Sequence, residues 1–140
     1  MIVLDASVIV KWLHRAKRPE ESATLATALV TDVIEGRIRI CQPVHWLVEV
    51  AGVMARLSPA TASFDVLQLQ RMRLPVADDP VLLQVACDLA LHHRVHVLDS
   101  LYHAVALEHE GATLVTADEA YFHAARKAGH ISLLQQWRAH

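Results

Sequence analysis

The sequence is poor in cysteine, glycine and proline, and each shortage excludes a class of protein. Its two cysteines, Cys41 and Cys87, lie far apart and lack the CxxC spacing of a zinc site. They also provide no secreted disulfide framework, so we expect a reduced, cytoplasmic protein. Four glycines and five prolines in 140 residues exclude collagen-like and low-complexity chains.

Long apolar runs and a strong excess of charge are also missing. No stretch of about 18 apolar residues is present, which predicts that no segment spans a membrane. The first apolar stretch contains Asp5 and has no basic residue before it, unlike a signal peptide. The formal net charge of -2 weighs against a protein that binds nucleic-acid duplexes through a broad basic face.

The apolar residues that are present occur in short runs separated by helical patterns. A hydrophobic content of 54% in a chain of this length predicts one domain, residues 1–140, with its own core. Apolar runs that suit strands buried on both faces lie at 2–4, 38–41, 95–98, 112–115 and 131–134. Helices are predicted near 6–15, 20–35, 43–57, 59–73, 79–93, 99–110 and 118–128.

This alternation predicts the fold class. We expect an α/β three-layer sandwich with a central, mostly parallel sheet of four or five strands flanked by helices. Ser58-Pro59 and Asp79-Pro80 are typical helix starts. Gly36, Gly111 and Gly129 are expected to end helices. The long helical block at 43–93 is expected to form a hairpin packed to one side.

Three aspartates follow strand-like runs and precede predicted helices. Asp5 follows 2–4, Asp99 follows 95–98 and Asp118 follows the run that ends at 117. Because the carboxyl ends of parallel strands share one edge of a sheet, these carboxylates are expected to converge. Any single one is most simply a helix N-cap, but three at the same topological position favour a shared site.

Clustered carboxylates repel one another and are stabilised by a hard divalent cation. Oxygen ligands suit Mg²⁺ or Mn²⁺, and such an ion indicates cleavage of phosphodiester or phosphate ester bonds. Glu49, on a mostly apolar predicted helix, is the fourth candidate acid. By helical spacing, Glu49 lies on one stripe with His45, Gly52 and Arg56. This stripe can be read equally well as part of a functional site or as a solvated helix face with a pair between Glu49 and Arg56.

Four segments, in this order, resemble a PIN domain, and most closely the VapC-type toxins of toxin–antitoxin pairs. They are 2–8 (IVLDASV), 47–50 (LVEV), 98–106 (LDSLYHAVA) and 114–118 (LVTAD). The resemblance implies four acids that bind the metal and carry catalysis: Asp5, Glu49, Asp99 and Asp118. It implies that Ser7 and Thr116 are the hydroxyl residues that orient the site.

The implied activity is that of a magnesium-dependent endoribonuclease, with Mn²⁺ as a substitute, neutralised by a cognate antitoxin protein. A homodimer is expected from the resemblance and from the excess of large apolar residues at 43–73. Local phosphate contacts are expected from a set of basic residues: Lys11, Arg15, Lys17, Arg18, Arg71 and Arg73. A cleft with such contacts suits single-stranded or looped RNA.

Two other functions stay open at this point. One is a small metal-dependent phosphatase, although position 7 is Ser where a haloacid-type enzyme needs the second acid of Asp-x-Asp. The other is a catalytically silent PIN-like binding module, which the retention of four costly acids disfavours. Some relatives have a further acid two or three residues after the last Asp, where this chain has Ala120 and Tyr121. His103, one helical turn after Asp99, is either structural or part of the site.

Overall fold

A computed structural model of the chain describes residues 1–15 and 21–138. Among them are five short strands in two parallel sheets. The larger sheet contains β1 (Ile2–Leu4), β4 (Thr113–Thr116) and β5 (Ile131–Leu133), in the order β1-β4-β5. The smaller one pairs β2 (Gln42–Pro43) with β3 (Val76–Ala77). A parallel bridge between Ile2 and Ile40 connects the segment before β2 to the edge of the larger sheet.

Seven α-helices surround these strands within the described part of the chain. They are α1 (Ala6–Leu13), α2 (Glu21–Ile34), α3 (Trp46–Leu57), α4 (Ala62–Met72), α5 (Val81–His93), α6 (Val97–Glu108) and α7 (Glu119–Ala125). A single 3₁₀ turn, Arg126–Ala128, follows α7. The predicted α/β class, with a central parallel sheet flanked by helices, is confirmed. Among the described residues, no helix combines the length and apolar character needed to cross a bilayer.

Three of the predicted strands are confirmed to within a residue at each end. They are β1, β4 and β5, whose side chains are mostly buried because helices cover the sheet. The predicted strand at 38–41 is reduced to the bridge at Ile40. Two-residue strands such as β3 carry no periodic signal, so β3 was not predicted.

The predicted strand at 95–98 is wrong. Helix α5 ends where Arg94 adopts a left-handed conformation, with φ of 56°, and α6 begins only three residues later at Val97. Val97 and Leu98 belong to the first turn of α6, and Leu98 is 55% exposed. An apolar run of four residues does not distinguish a strand from a helix start, and no glycine marks the end of α5.

The predicted helix ends are confirmed at two of the three glycines, while some starts shift. Gly36 and Gly129 lie just after α2 and the 3₁₀ turn and have positive φ, the conformation that ends a helix with least strain in glycine. Helix α6 instead ends at Glu108 with His109 extended, and Gly111, also with positive φ, lies in the turn that follows. Asp79 accepts a hydrogen bond from the Val81 N–H at 3.0 Å, as expected of a residue that caps α5. Helix α4 begins three residues after Pro59, with Thr61 in the N-cap position.

The helical block at 43–93 divides into two parts. Helices α3 and α4 pack against each other, whereas α5 packs on α6, so the predicted hairpin covers only the first half. Helix α6 in turn contacts β1, β2 and β4, and its residues 100–106 are all buried. It is therefore the central helix of the fold, and it carries Asp99 in its first turn.

Candidate active site

The pairing of β1 with β4 brings two of the predicted acids to one edge of the sheet. Leu4 lies opposite Val115, and the Asp5 N–H donates to the Val115 carbonyl at 3.0 Å. Asp5 directly follows β1, and Asp118 follows β4 by two residues. This is the shared carboxyl edge that the sequence pattern predicted for these two residues.

The Asp5 carboxylate is buried and hydrogen-bonded to two hydroxyl groups. Its Oδ2 accepts from Ser7 Oγ and, at 2.7 Å, from Thr116 Oγ1. The side chain makes no cap hydrogen bond to α1, so it does not act as a helix N-cap. Burial raises the pKa of Asp5, the two hydroxyl groups oppose this, and the negative charges of Glu49 and Asp118 raise it further.

The same two hydroxyl groups also hold the segment that carries Asp118. Ser7 Oγ accepts a hydrogen bond from the Ala117 N–H at 3.0 Å, and Thr116 Oγ1 accepts one from the Asp118 N–H at 3.0 Å. Asp118 Oδ1 accepts from the Tyr121 N–H at 2.9 Å, so this aspartate does cap α7. Ser7 and Thr116 therefore connect Asp5 to the backbone around Asp118.

Asp99 reaches this edge from the first turn of α6 rather than from the end of a strand. Burial and the negative charges of Asp5, Glu49 and Asp118 together raise the pKa of Asp99 to about 6. His96 lowers it slightly. Asp99 is therefore within electrostatic reach of the other three predicted acids, although Asp99 and Glu49 both come from helices.

Glu49 lies on α3 beside His45 and Tyr102. His45 Nε2 is 3.3 Å from Glu49 Oε2, close enough for an ion pair but not aligned as a hydrogen bond. The rings of His45 and Tyr102 meet edge to face, with centroids 4.8 Å apart. Burial alone would raise the pKa of Glu49, but His45 and the Tyr102 hydroxyl lower it below its ordinary value. Glu49 is therefore held as a carboxylate.

The donor chemistry of these residues fits a hard divalent cation. Every proposed ligand is a carboxylate, and Glu49 Oε2 is buried with no hydrogen-bond partner. Buried hydroxyl groups of Ser100 and Tyr102 near the acids also lack partners. Across residues 1–15 and 21–138, however, no three His, Cys, Asp or Glu side chains are already arranged to hold a metal ion. The acids share a neighbourhood without forming a closed ligand shell.

Several residues around the acids were not assigned from the sequence. Gln42 is fully buried, and its side-chain amide both donates to the Leu4 carbonyl and accepts from the Leu4 N–H, each at 2.8 Å. It thus pairs with the end of β1 immediately before Asp5. Tyr102 and Tyr121 lie against the acids because helix packing brings them there. Gln42 and Tyr121 lie in no local motif, whereas Tyr102 lies in the segment 98–106, where its spacing from Asp99 could have suggested it.

The expected phosphate-binding residues are placed only in part. Arg15 lies over the Trp12 ring at 5.2 Å and donates to the Trp12 carbonyl at 2.7 Å, so its guanidinium is already engaged. Arg73 ends α4 in a left-handed conformation. Lys17 and Arg18 lie outside the described residues.

Comparison with known proteins identifies the family. No curated protein matches the chain. A family model described as PIN domain matches residues 2–127, which is nearly the whole chain and includes all four acids. PIN domains are typically nucleases and generally use divalent metal ions. The predicted resemblance to this family is confirmed, and the chain belongs to the PIN-domain family.

Proposed function

We propose that this chain is a metal-dependent endoribonuclease that hydrolyses RNA phosphodiester bonds. The observation that best supports the proposal is the pair of hydroxyl groups, Ser7 and Thr116, that bind the Asp5 carboxylate and hold the backbone around Asp118. The effect of the Asp5, Glu49 and Asp118 charges on the pKa of Asp99 supports including the two acids that come from helices. Membership of a family of nucleases supports the same reaction class. In this proposal residues 1–140 act as one nuclease domain, with Mg²⁺ held by the four acids, Glu49 directly or through water.

The roles of the individual residues follow from their contacts. Ser7 and Thr116 hold the Asp5 carboxylate in one orientation by donating to the same oxygen. Asp118 is fixed by the Tyr121 N–H, which leaves its second carboxylate oxygen available. A bound divalent cation would neutralise the clustered charge and activate the scissile phosphate towards attack by water.

The biological setting is part of the same proposal. The VapC-type pattern supports a toxin that a cognate antitoxin protein neutralises in the cytoplasm. The chain would act as a homodimer, which is supported by five large apolar side chains that are exposed between residues 43 and 73: Val44, Val48, Leu57, Phe64 and Leu67.

The test is an RNA cleavage assay with Mg²⁺, with Mn²⁺ and with excess chelator, beside a DNA strand of the same sequence. We expect cleavage of RNA only when a divalent cation is present. Asp5→Asn, Glu49→Gln, Asp99→Asn and Asp118→Asn should each lower the rate at least a hundredfold. Asp88→Asn, which changes an exposed acid on α5, is the matched control and should retain full activity.

Three results would contradict the proposal. Undiminished cleavage in excess chelator would exclude the metal mechanism. A pure, folded wild-type chain that binds RNA but cleaves none with either cation would favour the silent binding module instead. Release of phosphate from small esters, with no RNA cleavage, would favour a phosphatase.

A further inference from the structure

His103 is a fully buried histidine that joins three parts of the molecule. It lies on α6, one turn after Asp99, and its side chain has no solvent exposure. Its Nδ1 is 3.1 Å from the Tyr121 hydroxyl on α7, and its Nε2 is 2.6 Å from the Gly129 carbonyl. The imidazole therefore contacts the helix that Asp118 caps and the turn that leads into β5.

The chemistry of these partners determines where the proton of the imidazole lies. The Gly129 carbonyl can only accept a hydrogen bond, so Nε2 carries the hydrogen and donates it. Burial lowers the pKa of His103, with the neighbouring His93 and His130 acting in the same direction and the Gly129 carbonyl opposing them. In the neutral ring Nδ1 is then an acceptor, and the Tyr121 hydroxyl donates to it.

This hydrogen bond lies on a short path between two of the acids. Tyr121 donates its backbone N–H to Asp118 Oδ1 at 2.9 Å, and its hydroxyl reaches His103 on α6. His103 and Asp99 are four residues apart, on one face of that helix. The bond from Tyr121 to His103 therefore connects the first turn of α7 to the helix that carries Asp99.

We propose that His103 is a positioning residue of the acid site. By accepting from Tyr121 and donating to Gly129, it fixes α7 relative to α6 and so fixes the Asp118 carboxylate relative to Asp99. The inference rests on the proposed function, because it concerns the spacing at which these acids bind a divalent cation. Partners that orient metal ligands in this indirect way typically change metal affinity by ten- to a hundredfold when removed.

The decisive variant is Tyr121→Phe, which removes one hydroxyl oxygen and keeps the packed ring. We expect it to weaken Mn²⁺ binding, measured by titration calorimetry, about tenfold or more. His103→Leu should have an effect at least as large. In His103→Asn, the side-chain oxygen can accept the Tyr121 hydrogen bond near the position of Nδ1. This variant should therefore lose less Mn²⁺ affinity than His103→Leu. The double variant His103→Leu/Tyr121→Phe should bind Mn²⁺ no more weakly than His103→Leu, because the bond between Tyr121 and His103 is already lost in the single variant.

His109→Asn is the matched control. His109 is the C-cap residue at the other end of α6, and its Nδ1 lies 2.8 Å from the Val105 carbonyl. The variant therefore removes a contact between a histidine and the backbone of the same helix, far along the chain from Tyr121. We expect its Mn²⁺ affinity to equal that of the wild type. A nitrogen-15 NMR spectrum of the wild-type chain in chelator should show His103 as the Nε2–H tautomer with a slowly exchanging ring proton.

The outcomes separate this inference from the proposed function. If Tyr121→Phe lowers the thermal midpoint but binds Mn²⁺ with wild-type affinity, His103 only packs the core and the inference is overturned alone. An Nδ1–H tautomer would also overturn it. If the wild-type chain binds no Mn²⁺, the proposed function fails and the inference fails with it.

Discussion

Asp5, Asp99 and Asp118 all lie at helix starts, yet their side chains are used differently. Asp118 caps α7 and Asp5 makes no cap bond, its carboxylate being turned to Ser7 and Thr116. Asp99 is not a cap at all, because His96 occupies the N-cap position of α6. The N-cap explanation, which was the simplest one for each residue alone, is correct only for Asp118.

Asp99→Asn tests the repulsion among the acids. In chelator, the variant should be more stable than the wild type by roughly 1 kcal/mol, the scale expected for screened charges near a surface. It should also lose RNA cleavage and most of its stabilisation by added Mg²⁺. Thermal melts of both proteins with chelator and with Mg²⁺ measure the effect. A variant that keeps its activity and its response to Mg²⁺ would remove Asp99 from the site.

The raised pKa of Asp99 also predicts how stability changes with pH. Because the folded state binds the Asp99 proton up to about pH 6 and the unfolded chain releases it near 3.8, stability in chelator should fall as pH rises between these values. Asp5 acts in the same direction, whereas Glu49, whose pKa is lowered, acts in the opposite one. When urea unfolding is measured from pH 4 to pH 7 in chelator, the free energy of unfolding should therefore decline less for Asp99→Asn than for the wild type. Equal declines would contradict the assignment.

At the scale of elements, the boundary between α5 and α6 shows where local pattern and packing disagree. Residues 95–98 have the composition of a strand, but α6 packs on α5 and on the sheet, and its buried face continues from residue 100 to residue 106. A helix start at Val97 places Asp99 within its first turn. Asp99 therefore reaches the site through the packing of α6, and not from the end of a strand.

Replacing glycine by alanine should have opposite effects on stability at Gly52 and at Gly111. A Cβ on Gly52, in α3, would meet nothing within 4 Å, so Gly52→Ala should stabilise the protein by about 0.5–1 kcal/mol through helix propensity. Gly111 has φ of 70°, so Gly111→Ala should destabilise it by about 1 kcal/mol through backbone strain alone. Urea unfolding of both variants at one protein concentration measures the difference. A loss of stability in Gly52→Ala would mean that α3 makes a close contact through this face.

At the scale of the whole molecule, the exposed apolar side chains of α3 and α4 predict a dimer interface. Phe64 is 63% exposed and Val48 is 76% exposed. Phe64→Lys should convert a wild-type dimer to a monomer at micromolar concentration, because a charge buried in an apolar interface is costly. Leu91→Lys is the matched control, since Leu91 is 80% exposed but lies on α5. Light scattering distinguishes the states, and a monomeric wild type or a dimer broken by Leu91→Lys would contradict this interface.

The amino-acid sequence by itself determined the features that depend on neighbouring residues. The apolar runs of β1, β4 and β5, the glycines that end helices and the acids that follow β1 and β4 are all local patterns, and the structure confirms those elements. Since parallel strands bring their carboxyl ends together, the proximity of Asp5 and Asp118 could be predicted from these patterns alone. The family was indicated by the order of four short segments, 2–8, 47–50, 98–106 and 114–118, and the family model confirms it.

Only the tertiary structure decided the features that depend on contacts between distant parts of the chain. The approach of Glu49 and Asp99 to the other acids is set by how α3 and α6 pack, and the Gln42 amide beside β1 has no counterpart in local pattern. The burial of His103 between Tyr121 and Gly129 arises in the same way. A short sequence window contains at most one partner of such a contact, so the energy of the contact cannot appear in any local signal.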